Sequence, residues 1–293
     1  MTVAPDDTNV EADGGVILLN VLIIVALASA VVMLMISSQD SALARTQRFR
    51  EAAQATAYAR AGELSARTAL RRDGLEAPAT DHLREAWASV SNDNVRIAGG
   101  RFSLAVADAQ ARFNVNSLVL GGLAAEGTLA RIAERMKLPA DVAPRIAALV
   151  RATGPVSDLG ALGYAGLSPD TLVKLSAEVT ALPGRTDINV NTASEELLGA
   201  VFGNPVAARI LAARRARLGY LTTDDLKAAR VVMPAGAGFT SDHFLVQTDV
   251  TVGDTAQHLT SLLERRRDDA GVTVVAIARK RNVAELRGAP PHR

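Results

Sequence analysis

The sequence predicts an α+β protein in which a long N-terminal, transmembrane helix packs on an antiparallel sheet, with a large all-helical subdomain inserted. The helix is predicted by the run from Val16 to Ile36, where Asn20 and Ser29 are the only polar residues. The sheet is predicted by alternating apolar and polar residues near Val95–Ala107 and again after His243. The insertion is predicted by helical spacing between these two strand regions.

Composition limits the function classes. The chain has 293 residues, enough for one large or two modest domains, and its 48% hydrophobic residues allow a sizeable core. A net charge of +1 gives no general argument for nucleic-acid binding. The absence of cysteine excludes disulfides, thiolate metal sites and a cysteine nucleophile.

The apolar run has the length of a membrane span. Residues 16–36 would extend roughly 32 Å as a helix, which matches the hydrocarbon core of a bilayer. A buried core helix is one alternative, but core helices of this length are seldom apolar on every face. A cleaved secretory signal is another, and it would have a basic flank and a shorter run. The flank here is acidic and contains Asp6, Asp7, Glu11 and Asp13.

The glycines before the run predict a processing site. Gly14 and Gly15 directly precede the apolar residues, which is the arrangement that prepilin peptidases cleave. The cut would fall between Gly15 and Val16, removing residues 1–15 as a leader and leaving the helix attached. Glycine suits this position because the scissile bond must be extended before the helix begins.

The helical pattern continues beyond the membrane. Apolar residues recur at helical spacing from Ser38 to Arg72 without a proline, so one helix is predicted over residues 16–72. The sequence Arg-Arg-Asp-Gly at residues 71–74 predicts its end, because cations suit the last turn of a helix and glycine ends helices.

The remaining chain is predicted to divide into four further parts. Residues 73–116 begin the α+β domain, with a strand pair or one bent strand over Val95–Ala107. Residues 117–240 form the helical insertion, residues 241–280 complete the sheet, and residues 281–293 are a flexible tail. The last strands are predicted at His243–Val252, Gln257–Leu263 and Val272–Ala278, with Glu264–Arg267 and Asp268–Gly271 in the connecting turn.

Three segments carry a family resemblance. The first, residues 106–118, contains Asp108 and Arg112-Phe113-Asn114-Val115-Asn116. The second, residues 179–193, contains Thr-Ala-Leu-Pro at residues 180–183 and Ile188-Asn189-Val190-Asn191-Thr192-Ala193. The third is the strand-rich C-terminus with its basic turn. Their order, together with the N-terminal helix, resembles general secretion pathway protein K, the large minor pseudopilin of type II secretion. The resemblance covers residues 15–279 and implies a pilin-like α+β domain with a helical insertion.

The same motifs have a local structural interpretation. The asparagines of both Asn-x-Asn motifs lie where a strand or loop gives way to a helix, and such side chains cap free backbone N–H groups. Asn191 and Thr192 are therefore expected at a helix start. Asp108 and Arg112 are expected to form a salt bridge at the domain junction.

The resemblance implies a role in filament assembly. Most pilins carry glutamate at the fifth mature position, where it neutralises a neighbour's N-terminal ammonium inside the bilayer. The family lacks it, and Asn20 holds that position here if Val16 becomes residue one. A subunit at the filament tip has no neighbour above it to neutralise, so the resemblance implies a tip cap. Asn20 as a tolerated amide near the membrane surface is the alternative.

The implied partners are other minor pseudopilins, the major pseudopilin, prepilin peptidase and the bacterial inner membrane. The globular domain would lie in the periplasm, and the short filament would drive substrates through an outer-membrane pore. We expect assembly to depend on helix packing, with Asn20 and Leu22 as assembly residues. No cofactor and no nucleic acid are expected.

Two features depart from this family. The leader has no Lys or Arg, and the segment from Arg45 to Arg72 carries seven Arg against two acids, so the positive-inside rule favours the opposite orientation. Calcium has been associated with the family, but the acidic loop is not evident here. Calcium needs six or more oxygen ligands, whereas Asp141, Asp158 and Asp170 are widely spaced, so no metal ligands are predicted.

A DNA-binding module is the main rival. Residues 188–226 resemble a helix-hairpin-helix, in which backbone amides of a Gly-rich turn bind phosphate, and a membrane-anchored version would serve DNA uptake. The turn at residues 202–206 lacks the Gly-hydrophobic-Gly core of that module. The arginines that could bind phosphate, although helix arginines are more often solvated, are Arg209, Arg214, Arg215 and Arg217.

An enzyme is the third class. The four histidines, at positions 82, 243, 258 and 292, are scattered. The sequence contains no Gly-x-Ser-x-Gly elbow, no HExxH motif and no phosphate loop. The sequence therefore predicts a protein without catalytic activity.

Overall fold

The N-terminal helix is longer than predicted at both ends. The computed structural model describes residues 10–269 and 271–281, and helix α1 spans Val10–Glu76. The chain divides into two compact units, residues 1–54 and 55–293, and α1 contributes to both. The expected stop at residues 71–74 does not end α1, because Asp73 and Gly74 face inward and are buried.

The start of α1 corrects the prediction that the helix begins at Val16. Gly14 and Gly15 are already helical. The predicted leader therefore overlaps α1, while residues 1–9 lie outside the described residues, as does the predicted tail beyond Arg281. Each glycine lowers helix stability by roughly 1 kcal/mol relative to alanine, so the helical turn that contains Gly14 and Gly15 unwinds at a low cost in free energy. Cleavage after Gly15 stays a prediction.

The other elements follow α1 in chain order. A short helix and two strands come first: α2 Ala86–Ser89, β1 Asn92–Ile97 and β2 Gly100–Asp108. The insertion contains β3 Phe113–Asn114, α3 Gly122–Arg135, α4 Val142–Thr153, α5 Pro169–Leu175, β4 Val179–Thr180, β5 Ile188–Asn189, α6 Glu195–Phe202, α7 Pro205–Leu218, α8 Thr223–Ala228 and β6 Ala237–Gly238. The last strands are β7 His243–Val252, β8 Thr255–Asp268 and β9 Gly271–Arg281.

Five of the described strands form one antiparallel sheet in the order β1-β2-β7-β8-β9. The strand pair over residues 92–108 and the strand His243–Val252 confirm two predictions. Asp108, the last residue of β2, pairs with Phe244 of β7. The helical insertion therefore leaves and re-enters the sheet between two neighbouring strands, and its ends are held together by the sheet itself.

The predicted turn at Glu264–Arg267 is wrong. β8 continues through these residues, pairing Arg267 with Val272 and Asp268 with Gly271 across to β9. The run of charges suggested a solvated turn, but the side chain of Arg265 points inward and is fully buried. A charged residue thus occupies a strand position at which the core side of a sheet normally carries an apolar residue.

Residues 55–76 of α1 pack on the sheet through small side chains. The buried positions recur every three or four residues, as expected for one helix face, and are Ala55, Ala59, Gly62, Ala66 and Leu70. A Cβ atom at Gly62 would lie 2.9 Å from Phe102 Cζ and 3.1 Å from Thr248 Cγ2. The close approach of helix and sheet therefore requires glycine at this position.

Glu63 ties the same helix face to the last two strands. Its carboxylate accepts hydrogen bonds from Ser261 Oγ at 2.7 Å and from Arg279 Nε at 2.7 Å. Burial alone would raise the pKa of Glu63, but the bonds from Arg279 and Ser261 outweigh burial and lower it. The ionised carboxylate therefore stabilises the contact between α1 and β8–β9.

The helical insertion consists of two similar halves, which the sequence did not reveal. The first begins at β3 and ends at β4, which pairs with β3 in parallel. The second begins at β5 and ends at β6, which pairs with β5 in parallel. Each half starts with an Asn-x-Asn motif and continues into a helical hairpin, α3–α4 or α6–α7. One apolar cluster, including Leu129, Ile146, Leu197 and Leu198, joins the halves.

Candidate functional site: the membrane helix and the polar junction

Residues 15–54 of α1 form the candidate membrane helix. Every residue from Gly15 to Leu43 is exposed, including Asn20, and Val16 and Leu22 are each 57% exposed. In the described part of the chain, α1 is the one helix long and apolar enough to cross a membrane, with a mean hydropathy of 2.9 over its best window. An uncovered apolar helix of this length needs lipid or other helices around it.

Hydrogen bonding inside this helix also suits lipid. Ser29 Oγ donates to the carbonyl oxygen of Val25 at 2.8 Å, which satisfies the hydroxyl within the helix. The geometry thus supports a single membrane anchor. The processing site at Gly15 and Val16 and the assembly roles of Asn20 and Leu22 stay predictions.

Asp108 belongs to the first motif and is the last residue of β2, where the chain leaves the sheet. Its Oδ2 accepts from Thr192 Oγ1 at 2.6 Å, Ser241 Oγ at 2.7 Å and Asn189 Nδ2 at 2.9 Å. Its Oδ1 accepts from the backbone N–H of Gln110 at 2.8 Å. Burial raises the pKa of Asp108, and these four bonds partly oppose the rise.

The predicted salt bridge between Asp108 and Arg112 is wrong. Arg112 Nη1 donates to the carbonyl oxygen of Ser176 at 3.1 Å, while the carboxylate of Asp108 turns to the second motif. The reason is that Asp108 caps the 3₁₀ helix Ala109–Ala111 and faces Asn189 and Thr192 across the junction. The two family motifs therefore meet through Asp108, which joins the two ends of the insertion.

The first asparagine of each motif caps the backbone, as predicted. Asn114 Oδ1 accepts from the N–H of Asn116 at 3.0 Å, and Asn189 Oδ1 accepts from the N–H of Asn191 at 2.9 Å. The predicted helix start near Thr192 is shifted, because Ser194 is the residue that caps α6.

The second asparagine of each motif binds a distant backbone segment, which the sequence did not predict. Asn116 binds both the N–H and the C=O of Val156, each at 2.8 Å. Asn191 binds the N–H of Leu221 at 2.7 Å and its C=O at 3.2 Å. The side-chain amide of each asparagine thus makes the two backbone hydrogen bonds that a neighbouring strand would otherwise make. The residue that it binds, Val156 or Leu221, follows a helical hairpin. The apolar motif residues Phe113, Ile188 and Ala193 are buried in the core between the two halves.

Arg265, the buried cation among the residues that the structure describes, was not among the predicted site residues. Arg265 Nη1 lies 3.0 Å from Asp73 Oδ2, and Nη2 lies 2.6 Å from Asp81 Oδ2 and from the carbonyl oxygen of Ser241. A Cβ atom at Gly74 would lie 2.9 Å from Arg265 Cδ, so glycine makes room for the guanidinium. In β8 the buried positions alternate through Leu259, Ser261, Leu263 and Arg265, and this alternation is the signal that could have identified it.

Asp81 connects this cluster to the motifs. Its Oδ2 accepts from the N–H of Ser241 at 2.7 Å, and its carbonyl oxygen accepts from Asn189 Nδ2 at 3.0 Å. We call the six residues Asp73, Asp81, Asp108, Asn189, Ser241 and Arg265 the polar junction. The junction connects the C-terminal end of α1, strand β8 and the second half of the insertion through one continuous set of buried hydrogen bonds.

The geometry does not favour the DNA-binding alternative. The free amides at the start of α7, which a helix-hairpin-helix would offer to phosphate, are capped by Asn204 Oδ1 at 3.0 and 3.1 Å. Arg214 pairs with Asp225 at 2.6 Å, and Arg215 donates to the carbonyl oxygens of Val190 and Ala193. Two of the four candidate arginines therefore hold the fold together.

The acids considered as metal ligands have structural partners. Asp141 pairs with Arg145 at 3.2 Å, Asp158 caps the N–H of Gly160 at 2.8 Å, and Asp170 lies in the first turn of α5. In the buried acidic group at the polar junction, Arg265 supplies the positive charge that a metal ion would otherwise supply. That the protein needs no metal remains a prediction.

Comparison with known proteins connects this geometry to a family. A family model described as "Type II secretion system (T2SS), protein K" matches residues 188–246, which include the second Asn-x-Asn motif and Ser241. The type II secretion system protein K of Pseudomonas aeruginosa is 29% identical over 301 residues, covering 88% of this chain and 90% of that protein. Its counterpart in Pectobacterium carotovorum is 27% identical, covering 85% and 92%. The chain is therefore similar, over most of its length, to proteins K of type II secretion systems.

A solved structure has the same fold as this chain. A chain in the crystal structure of the GspK-GspI-GspJ complex from the enterotoxigenic Escherichia coli type 2 secretion system matches with a TM-score of 0.63. The match is 22% identical and covers 82% of this chain and 100% of that chain. The predicted resemblance to this family and the α+β fold class are therefore confirmed. These comparisons support a minor pseudopilin of a type II secretion system.

Proposed function

We propose that this protein caps the tip of a type II pseudopilus and helps to initiate its assembly for protein export across the outer membrane. The observation that supports it most is the exposed apolar helix, which carries Asn20 rather than an acid at the fifth position after the predicted cut. A subunit inside the filament shaft would need that acid to neutralise the ammonium of the subunit above it. A tip subunit has no such neighbour.

The proposed location is the inner membrane, with residues 16–36 spanning it and the α+β domain in the periplasm. The arginine-rich segment is the main argument against this orientation. Arg67 and Arg71, however, donate to the carbonyl oxygens of Val274 and Val272 of β9, each at 3.0 Å. These arginines belong to a folded domain rather than to a short loop, and domains cross the membrane largely regardless of charge.

The proposed maturation removes residues 1–15 by prepilin peptidase, with N-methylation of Val16. The proposed partners are other minor pseudopilins and the major pseudopilin, bound through the exposed helix. The Escherichia coli complex, in which GspK is crystallised with GspI and GspJ, supports partners of this kind. The exposed side chains of residues 15–43 are available for helix packing on every face of α1.

Filament length tests the capping role. Each filament needs one cap, so at a fixed amount of major pseudopilin we expect an excess of this protein to give more and shorter filaments. Electron microscopy of filaments from the native host would measure this. The control is an equal excess of the Gly15→Glu variant, which should stay unprocessed and leave the lengths unchanged. Equal length distributions with and without excess wild-type protein would contradict capping.

A further inference from the structure

Three buried carboxyl groups lie together beside the polar junction. Oxygen atoms of Asp73, Asp81 and Glu85 lie within 4.8 Å of one another, and all three residues are buried. Arg265 is the guanidinium that bonds to Asp73 and Asp81. Three ionised carboxylates and one guanidinium would leave two uncompensated negative charges in a buried site. Like charges at this separation resist simultaneous ionisation.

Of the three carboxyl groups, Glu85 is the one with a buried oxygen that could carry a proton. Its Oε2 accepts two hydrogen bonds, from the N–H of His82 at 2.9 Å and from Trp87 Nε1 at 2.7 Å. Its Oε1 is buried and has no hydrogen-bond partner among the described residues, with His82 Nε2 at 3.3 Å. A buried, unsatisfied carboxylate oxygen is costly, and protonation removes its charge.

We propose that this cluster is a proton-binding switch, in which the three carboxyl groups share one proton, held mainly on Glu85. The proton controls how firmly the loop of residues 77–91 holds the end of α1. Asp81 lies in that loop and bonds to Arg265, Ser241 and Asn189, so the switch acts on the same residues that anchor the helical insertion.

The surrounding charges agree with proton uptake. Burial raises the pKa of Glu85 to about 7, with repulsion from Asp73 and Asp81 adding to it. Burial and repulsion from Asp81 also raise the pKa of Asp73 to about 6, although Arg265 opposes the rise. His82, which stacks on Tyr220 of the insertion, has its pKa lowered by burial and by Arg84, so it does not supply a compensating cation. The apparent values belong to the cluster as a whole.

The direction of the pH effect follows from linkage. The folded protein holds the proton more tightly than the unfolded chain, because the pKa of Glu85 rises from 4.5 to about 7 on folding. The stabilisation is complete below pH 4.5 and is lost as the pH rises through about 7. Other groups, such as His243 with its lowered pKa, act in the opposite direction. A comparison with a variant is therefore needed.

The test uses the full chain in detergent micelles and the fluorescence of Trp87, the single tryptophan of the sequence. Unfolding by guanidinium chloride is measured at pH 5 and pH 8 for the wild type and for Glu85→Gln. Glutamine has the shape of the protonated acid. We expect the ratio of their folding constants to move in favour of Glu85→Gln by about tenfold or more between the two pH values. Native Trp87 fluorescence should titrate near neutral pH in the wild type only.

The matched control is Glu134→Gln, an exposed residue of α3, which should follow the wild type at both pH values. A pH-independent ratio for Glu85→Gln would overturn the proposal. So would a titration of Trp87 fluorescence that persists unchanged in Glu85→Gln, or one that Asp73→Asn removes and Glu85→Gln does not. None of these outcomes depends on capping, so the result is separate from the proposed function.

Discussion

The Arg265→Met variant is expected to lower the free energy of unfolding of the α+β domain by about 3–5 kcal/mol. The guanidinium bonds to two buried carboxylates and to the carbonyl oxygen of Ser241. Methionine fills similar space but leaves Asp73 and Asp81 as buried, uncompensated charges. Denaturant unfolding followed by Trp87 fluorescence measures the effect, since Trp87 packs edge-on against Phe244 at 5.2 Å in the same core.

The neighbouring residue provides the control. Arg266 is exposed and pairs locally with Glu264, so Arg266→Met should change stability far less than Arg265→Met. Equal unfolding midpoints for the two variants would show that the Arg265 cluster is not what holds α1, β8 and the insertion together. Asp73→Asn combined with Arg265→Met should recover part of the loss, because it removes one of the unpaired charges.

The second large effect is expected in the membrane helix, where Leu22→Arg should reduce secretion in the native host to background. Leu22 lies within residues 16–36 and is exposed to whatever surrounds the helix. Arginine inside a bilayer costs about 2.5–3.5 kcal/mol on insertion scales and disrupts apolar packing against other helices. The measurement is the amount of a secreted substrate outside cells that contain equal amounts of each variant.

Leu43→Arg is the matched control for this variant. Leu43 belongs to the same helix and is 68% exposed, but it lies beyond the apolar run. Secretion should stay well above background with Leu43→Arg. Undiminished secretion with Leu22→Arg would show that residues 16–36 do not act as a buried span.

Residue periodicity predicted the parts of the fold that obey ordinary burial rules. Val16–Ile36 is apolar on every face, and His243–Val252 alternates, so the helix and the central strand could be predicted. The bounds of α1 were less predictable. Glycines such as Gly14, Gly15 and Gly74 often mark helix boundaries, but α1 continues through all three. At Gly74 the missing side chain leaves space for Arg265.

The polar junction could not be predicted because its charges are buried. A basic run at Glu264–Arg267 normally indicates a solvated turn, and Arg265 is inside only because Asp73 and Asp81 neutralise it. These carboxyl groups come from segments far away in the sequence. The hydrogen-bond partners of the motif residues were also not predictable from the sequence. Asp108 faces Asn189 and Thr192 instead of Arg112, since the fold brings the two motifs together.

The N-terminal residue of the mature protein tests the central claim most directly. Mass spectrometry of the protein purified from membranes of its native host would identify this residue, with the Gly15→Glu variant as the unprocessed reference. A membrane-anchored pseudopilin processed after Gly15 should begin at Val16, and its N-terminus should carry a methyl group. A mature chain that retains residues before Val16, or one that has lost the apolar run, would contradict the account.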